Sequence, residues 1–179
     1  MTIRDIFNEM SYGPAPESNA EALDWLARHG GRFGHWIDGG FTTAGESFAS
    51  KNPATGVVLA EVTQGSDTDV AAAVAAARRA QPKWARLGGH QRAKHLYALA
   101  RLVQKHARLL AVLETMDNGK PIRESRDIDL PLVARHFYYH AGLAQLLPAE
   151  LPGMAPLGVC GAVIPVSYTH LTLPTIYSV

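Results

Sequence analysis

LETMDNGKPIRESR, Leu113 to Arg126, is the stretch from which the organisation of this chain is read. Leu113 closes a series of apolar positions, Leu96, Leu99, Val103, Leu110 and Leu113, that recur at helical spacing. Arg92, Lys94, Arg101, Lys105 and Arg108 lie mostly off that stripe and read as a solvated face. The spacing predicts one helix from Gln91 to Met116, or two joined near His106. Asn118-Gly119 then stops the helix, because glycine enters the left-handed conformation without a Cβ penalty, and Pro121 stands just beyond it. Farther on comes LGVCGAVIP, Leu157 to Pro165, an apolar run of strand length suited to a sheet interior rather than an edge.

Between these two blocks a helix is expected to start near Asp129-Leu130-Pro131, where proline is tolerated in the first turn. It would bury Val133, Phe137, Ala141 and Ala144. Pro148, Pro152 and Pro156 are expected to break the following chain into an extended segment. Upstream, Ile3 to Met10 and Ala20 to His29 read as short helices, the second with Ser18 and Asn19 as N-cap candidates and Gly30-Gly31 as its stop. Asp38-Gly39-Gly40 predicts a hairpin over residues 35 to 43, since primed turns need positive φ. Asn52-Pro53-Ala54-Thr55-Gly56 predicts a turn before a strand from Val57 to Val62. Ser66 with Asp69 opens a further helix with a capping-box signature. Its stripe is Val70, Ala73, Val74 and Ala77, and Pro82 marks its expected stop.

At 179 residues, 47% hydrophobic and 18% charged, the composition is that of a globular protein rather than a disordered one. A formal net charge of +1 provides no field that would recruit nucleic acid or an anionic membrane, so neither is expected as a partner. No apolar run has the length to span a bilayer, and MTIRDIFNEM lacks the apolar core of a signal peptide, so a cytoplasmic location is expected. The one cysteine, Cys160, lies within the apolar run and is expected to pack as a small buried hydrophobe. His136 and His140 stand one helical turn apart, but no cysteine or acidic partner at zinc spacing accompanies them, so no metal site is expected. No phosphate-binding fingerprint is formed by Gly158 and Gly161.

The region from about Trp36 to Pro165 resembles the N-terminal region of NAD(P)-dependent aldehyde dehydrogenases. The resemblance rests on five blocks in the family's order: Trp36 to Gly40, Asn52 to Gly56, the Ala-rich helix ending near Trp84, Asp117 to Pro121, and Gly158 to Gly161. It implies an α/β fold in two parts. Residues 1–33 would form an N-terminal helical extension, similar to one in a long, two-module branch of the family. Residues 34–165 would form a partial coenzyme-binding domain, with antiparallel hairpins, flanking helices and the first strand of a mainly parallel sheet.

The resemblance implies oxidation of an aldehyde to a carboxylic acid with NAD or NADP. In the family a cysteine thiolate attacks the aldehyde, hydride passes to the coenzyme, and a glutamate-activated water releases the acid. Ile164 and Pro165 match positions lining the family's nicotinamide pocket and are the cofactor-binding candidates. The oxyanion amide of the pattern Ile-Pro-Trp-Asn is replaced here by Val166-Ser167, and the family's nucleophile and glutamate have no counterpart, so no catalytic residue is assigned. Asp117 to Pro121 would be a helix terminus and tight turn supporting the coenzyme domain. The intact parent would act on a small-molecule aldehyde as a homo-oligomer, with a dimer more plausible than a tetramer because Gln145 to Leu157 is short and rich in proline.

Residues 166–179 depart from the family, and Val166 to Thr175 back-translates to a sequence resembling a transposon-end adapter. That tail is expected to be non-native, and the chain to be an inactive N-terminal fragment. Two readings stand beside this one. The helices can be read instead as a non-catalytic interaction module, or Cys160 as the nucleophile of a thiol-dependent enzyme, which would require rapid alkylation in the folded state.

Overall fold

The computed structural model describes residues 18–42 and 44–163, so the expected helix at Ile3 to Met10, the candidates Ile164 and Pro165, and residues 166–179 lie outside the described part. The fold is mixed α/β. Helix α1, Ala20–Arg28, is stopped by Gly30 and Gly31, both at positive φ, and the Gly31 amide donates back to the Leu26 carbonyl at 3.0 Å. Strand β1, Arg32–Phe33, pairs in parallel with β5, Val58–Thr63, which pairs antiparallel with β4, Ser47–Lys51. The turn between β4 and β5 closes through the Gly56 amide on the Asn52 carbonyl at 2.7 Å, with Gly56 at φ 72°. A separate hairpin joins β2, His35–Ile37, to β3, Gly40–Thr42, through Asp38 and Gly39 at φ 53° and 82°, the paired positive values of a type I′ turn.

Helix α2, Asp67–Arg86, begins with the expected reciprocal cap: the Asp69 amide donates to Ser66 Oγ and the Ser66 amide to Asp69 Oδ2. Its end differs from expectation, because the helix passes through Pro82 and closes four residues later, at Arg86. The stop is supplied from the next helix. Arg92 donates from Nη1 to the carbonyls of Leu87 at 2.6 Å and Ala85 at 3.4 Å, satisfying terminal acceptors that Pro82 does not touch. Arg92 is therefore a half-buried cap rather than part of a solvated face. The expected stripe of α2 is also largely open, with Val70 61% exposed and Ala76 the buried position.

The long helical pattern resolves into α3, Gly89–Lys105, and α4, Ala107–Asn118, divided at His106. A short helix α5, Ile122–Glu124, and a π-helical turn, Ser125–Asp129, lead into α6, Leu130–Glu150, which starts where expected, with Pro131 in its first turn. Pro148 lies inside α6 and does not break the chain as expected.

Helices α3 and α6 pack through small residues. Ala93, Ala141 and Ala144 are buried at the contact, with Leu96 and Tyr97 against them, and an added Cβ on Gly89 would overlap the Ala144 carbonyl oxygen. On α3 the small Ala100 is fully buried while Leu99 of the expected stripe is left exposed, and on α4 Ala111 is buried and Leu110 exposed. A second cluster, Ala22, Val112 and Met116 with Leu59, Leu109, Leu113 and Ile122, joins α1, β5 and α4.

Leu157 to Val163 forms no strand, contrary to expectation, and Leu157 and Val163 are each 89% exposed. A parallel interior strand exists only where neighbours take up its amides and carbonyls, and no described strand pairs with this segment.

Candidate functional site

Two parts of the molecule bear on function, the junction that follows α4 and the segment that ends the described chain. At the junction, Gly119 takes φ 79° and ends α4, with its amide on the Thr115 carbonyl at 3.0 Å. A side chain there would meet Pro53 of the β4–β5 turn, whose Cγ lies 2.8 Å from the position of an added Cβ. The Asn118 side-chain oxygen accepts from the Lys120 amide at 2.8 Å, which turns the chain so that the Lys120 side chain runs inward. There it forms an ion pair with Asp129, the two side chains being 7% and 2% exposed.

The remaining groups of the junction are polar as well. Thr115 donates to the hydroxyl of the fully buried Ser125 at 3.1 Å. The Glu114 carboxyl stands half-buried on the last turns of α4. Burial, and then the charge of Asp129, hold the Glu114 carboxyl above the usual carboxylate range, against the lowering pull of Lys120. On the outer side, Ser50 of β4 donates to Asp117 at 2.5 Å, tying the sheet to the end of α4. The expected helix terminus and tight turn are therefore present at Asp117 to Pro121. What sequence reasoning missed is the buried pair, because Lys120 and Asp129 show no periodic or motif signal and meet only when the π-helical turn rotates Asp129 inward.

The terminal segment is different in kind. Leu157 to Gly161 lie across α2 and enclose with Ala73, Val74 and Ala77 a cleft of about 630 Å³. Cys160 is exposed here, not packed in a core as expected, because the segment has no strand neighbours to bury it. The cofactor-binding candidates Ile164 and Pro165 follow directly and lie outside the described residues.

Two helix N-termini are closed to the pyrophosphate of a dinucleotide. The N-terminus of α2 is already taken by the carboxylate of Asp69, which its hydrogen bonds from Ser66 hold below the usual carboxylate range, and an anion there would be repelled. The N-terminus of α3 is pressed onto Ala144 at Gly89. His136 and His140 stack with ring centroids 6.4 Å apart, and among the described residues no group of three or more His, Cys, Asp or Glu is placed to hold a metal. Among the same residues no helix is long and apolar enough to cross a membrane.

Comparison with known proteins agrees with the sequence pattern. A family model described as "Aldehyde dehydrogenase family" matches residues 41–173. Aminoacetaldehyde dehydrogenase of Pseudomonas aeruginosa is 40% identical over 152 residues, covering 77% of this chain and 31% of that protein. Aldehyde dehydrogenase family 2 member B4, mitochondrial, of Arabidopsis thaliana is 37% identical over 150 residues, covering 77% and 27%. Among solved structures, HpcC of Thermus thermophilus superposes with a TM-score of 0.65 at 32% identity, covering 70% of this chain and 25% of that one. An NAD+ complex of aldehyde dehydrogenase from Bacillus cereus gives 0.62 at 34% identity, covering 74% and 26%. The chain thus spans less than a third of the length of these relatives.

Proposed function

Because this chain belongs to the aldehyde dehydrogenase family, we propose that it is the N-terminal part of an enzyme that oxidises a small-molecule aldehyde to a carboxylic acid with NAD+ or NADP+. The observation that carries this reading is the match over residues 41–173 combined with coverage of 31% of a relative such as the Pseudomonas protein. In this proposal the present chain is scaffold. The junction at Lys120 and Asp129 sets the direction in which α6 leaves α4, and α6 leads to the segment whose last members, Ile164 and Pro165, would meet the nicotinamide. The coenzyme would supply the hydride acceptor when bound by the intact parent. The N-termini of α2 and α3 offer its phosphates no cradle, and residues beyond this chain are proposed to provide one.

The 179-residue polypeptide alone is proposed to be catalytically inert. Its sequence holds Cys160 as its one cysteine and Val166-Ser167 where the family pattern has Trp-Asn, so both the nucleophile and the oxyanion amide are missing. Residues 166–179, of which 166–173 fall inside the family match, are proposed on their back-translation to be an adapter-derived tail, and the intact parent a cytoplasmic homo-oligomer. Purified polypeptide, offered short and aromatic aldehydes with NAD+ or NADP+, is expected to give no rise in reduced nicotinamide absorbance. Aldehyde-dependent turnover would overturn the assignment of inertness. Sequencing the source gene past the Pro165 codon is expected to continue into Trp-Asn, and a natural stop after Val179 would overturn both the fragment and the tail.

A further inference from the structure

We propose that Asn118 is a latent modification site: the folded junction holds back conversion of the Asn118-Gly119 linkage to isoaspartate, and conversion once made releases Lys120 from Asp129. Of the four asparagines in the sequence, Asn8, Asn19, Asn52 and Asn118, only Asn118 precedes glycine. Glycine lacks the side chain that would crowd its own nitrogen, whereas Pro53 after Asn52 has no N–H to lose. The Gly119 nitrogen, on losing its proton, attacks Asn118 Cγ. The new N–Cγ bond closes a succinimide ring, and the Cγ–Nδ2 bond breaks as the side-chain nitrogen leaves as ammonia. Water then adds to one of the two ring carbonyls and opens the ring to an aspartyl or isoaspartyl residue. The sum is one water consumed and one ammonia released, with no oxidation or reduction.

The structure withholds each requirement of the first step. The Gly119 proton is engaged, since its amide donates to the Thr115 carbonyl at 3.0 Å. Asn118 is the last residue of α4, and its helical backbone must swing away before the Gly119 nitrogen can face its Cγ. The half-buried carboxamide is meanwhile fixed towards residue 120, because Oδ1 accepts from the Lys120 amide at 2.8 Å. Beside the turn, Gly119 is packed against Pro53, and the Lys120 ammonium is paired with Asp129. All of these restraints belong to the junction, so local opening removes them together.

The isoaspartyl product does not fit the closed junction. Its main chain runs through Cβ and Cγ, so one carbon is inserted between α4 and Lys120, and the carbonyl that received the Lys120 amide becomes part of the backbone. The former backbone carbonyl becomes a carboxylate, one residue from Asp117 and one helical turn from Glu114. The longer turn carries Lys120 away from its partner and leaves the buried Asp129 without its cation. Modification and opening thus favour one another: the open junction permits the reaction, and the product keeps the junction open.

The test follows the peptide Leu109 to Arg123, which trypsin releases intact because Lys120 precedes proline. Its amide-to-acid change in mass is measured in the 179-residue chain held at mildly alkaline pH in buffer and in unfolding urea, with the synthetic peptide in both solvents as control. The folded chain is expected to convert at least about tenfold more slowly than the unfolded chain and the peptide, the margin being set by the free energy of opening. Equal rates would overturn the protection. Converted chain is then returned to buffer and treated with an acetylating reagent. Lys120 is expected to label at least about tenfold faster than in unconverted chain taken briefly through urea, with exposed Lys83 and Lys94 alike in both. A Lys120 equally shielded in the two chains would overturn the coupling. Neither readout depends on turnover, so their outcome is separate from that of the proposed enzyme.

Discussion

The junction after α4 and the segment Leu157 to Val163 are both sequence motifs of the same family, yet one is a finished structure in this chain and the other is not. At the junction the inner partners lie within a short span, Thr115 with Ser125, Lys120 with Asp129 and Asn118 with the Lys120 amide, while Ser50 and Pro53 reach its outer side from the sheet. Closing such loops costs little chain entropy, and the contacts made are charged or hydrogen-bonded, so the site forms from local sequence. Leu157 to Val163 has the composition of an interior strand but, among the described residues, none of its neighbours. A strand is a relation between segments, and apolar composition alone leaves Val163 89% exposed.

The comparison breaks most directly at Lys120. Lys120→Met leaves Asp129 buried without its cation and is expected to lower stability by about 3 to 5 kcal/mol, read as a shift of the urea midpoint. A loss below about 1 kcal/mol would show that the junction is solvated rather than sealed. Gly89→Ala tests the packing that carries the junction, because its methyl group must displace the Ala144 carbonyl. Overpacking of this kind costs about 1 to 3 kcal/mol, and an unchanged thermal midpoint would mean that α3 and α6 do not approach so closely. At the other end of the scale, Val163→Thr is expected to change stability by less than about 0.5 kcal/mol, since it removes no buried surface in this chain. A large loss there, by the same urea measurement, would show that the segment is paired after all.

Much of the fold is legible along the chain. The type I′ turn at Asp38-Gly39, the Ser66 and Asp69 capping box, and the left-handed Gly119 all stand where the sequence puts them, because each depends on a few adjacent residues whose backbone preferences are strong. The departures share a cause too. Pro82 and Pro148 signal helix stops, but proline imposes a local cost that packing and an outside cap can offset, as Arg92 does at the end of α2. The leucine stripe names Leu99 as core, whereas on α3 the buried positions are Ala93, packed closely on α6, and Ala100. For the candidate site the balance is less favourable. Ile164 and Pro165 rest on family resemblance and lie outside the described residues, while Lys120 and Asp129 carry no signal beyond membership of a turn and Glu114 none beyond its place in a helix.

What the amino-acid sequence determined by itself is the family, the order of elements and the turns between them, since each is written in short-range preferences of glycine, proline and capping side chains. Tertiary structure alone decided which face of each helix is core, that Lys120 and Asp129 are buried together, and that Cys160 is exposed. The physical reason is that burial belongs to pairs of segments: a residue's neighbours across the fold, rather than along the chain, set whether its surface, its charge or its proton is kept from water.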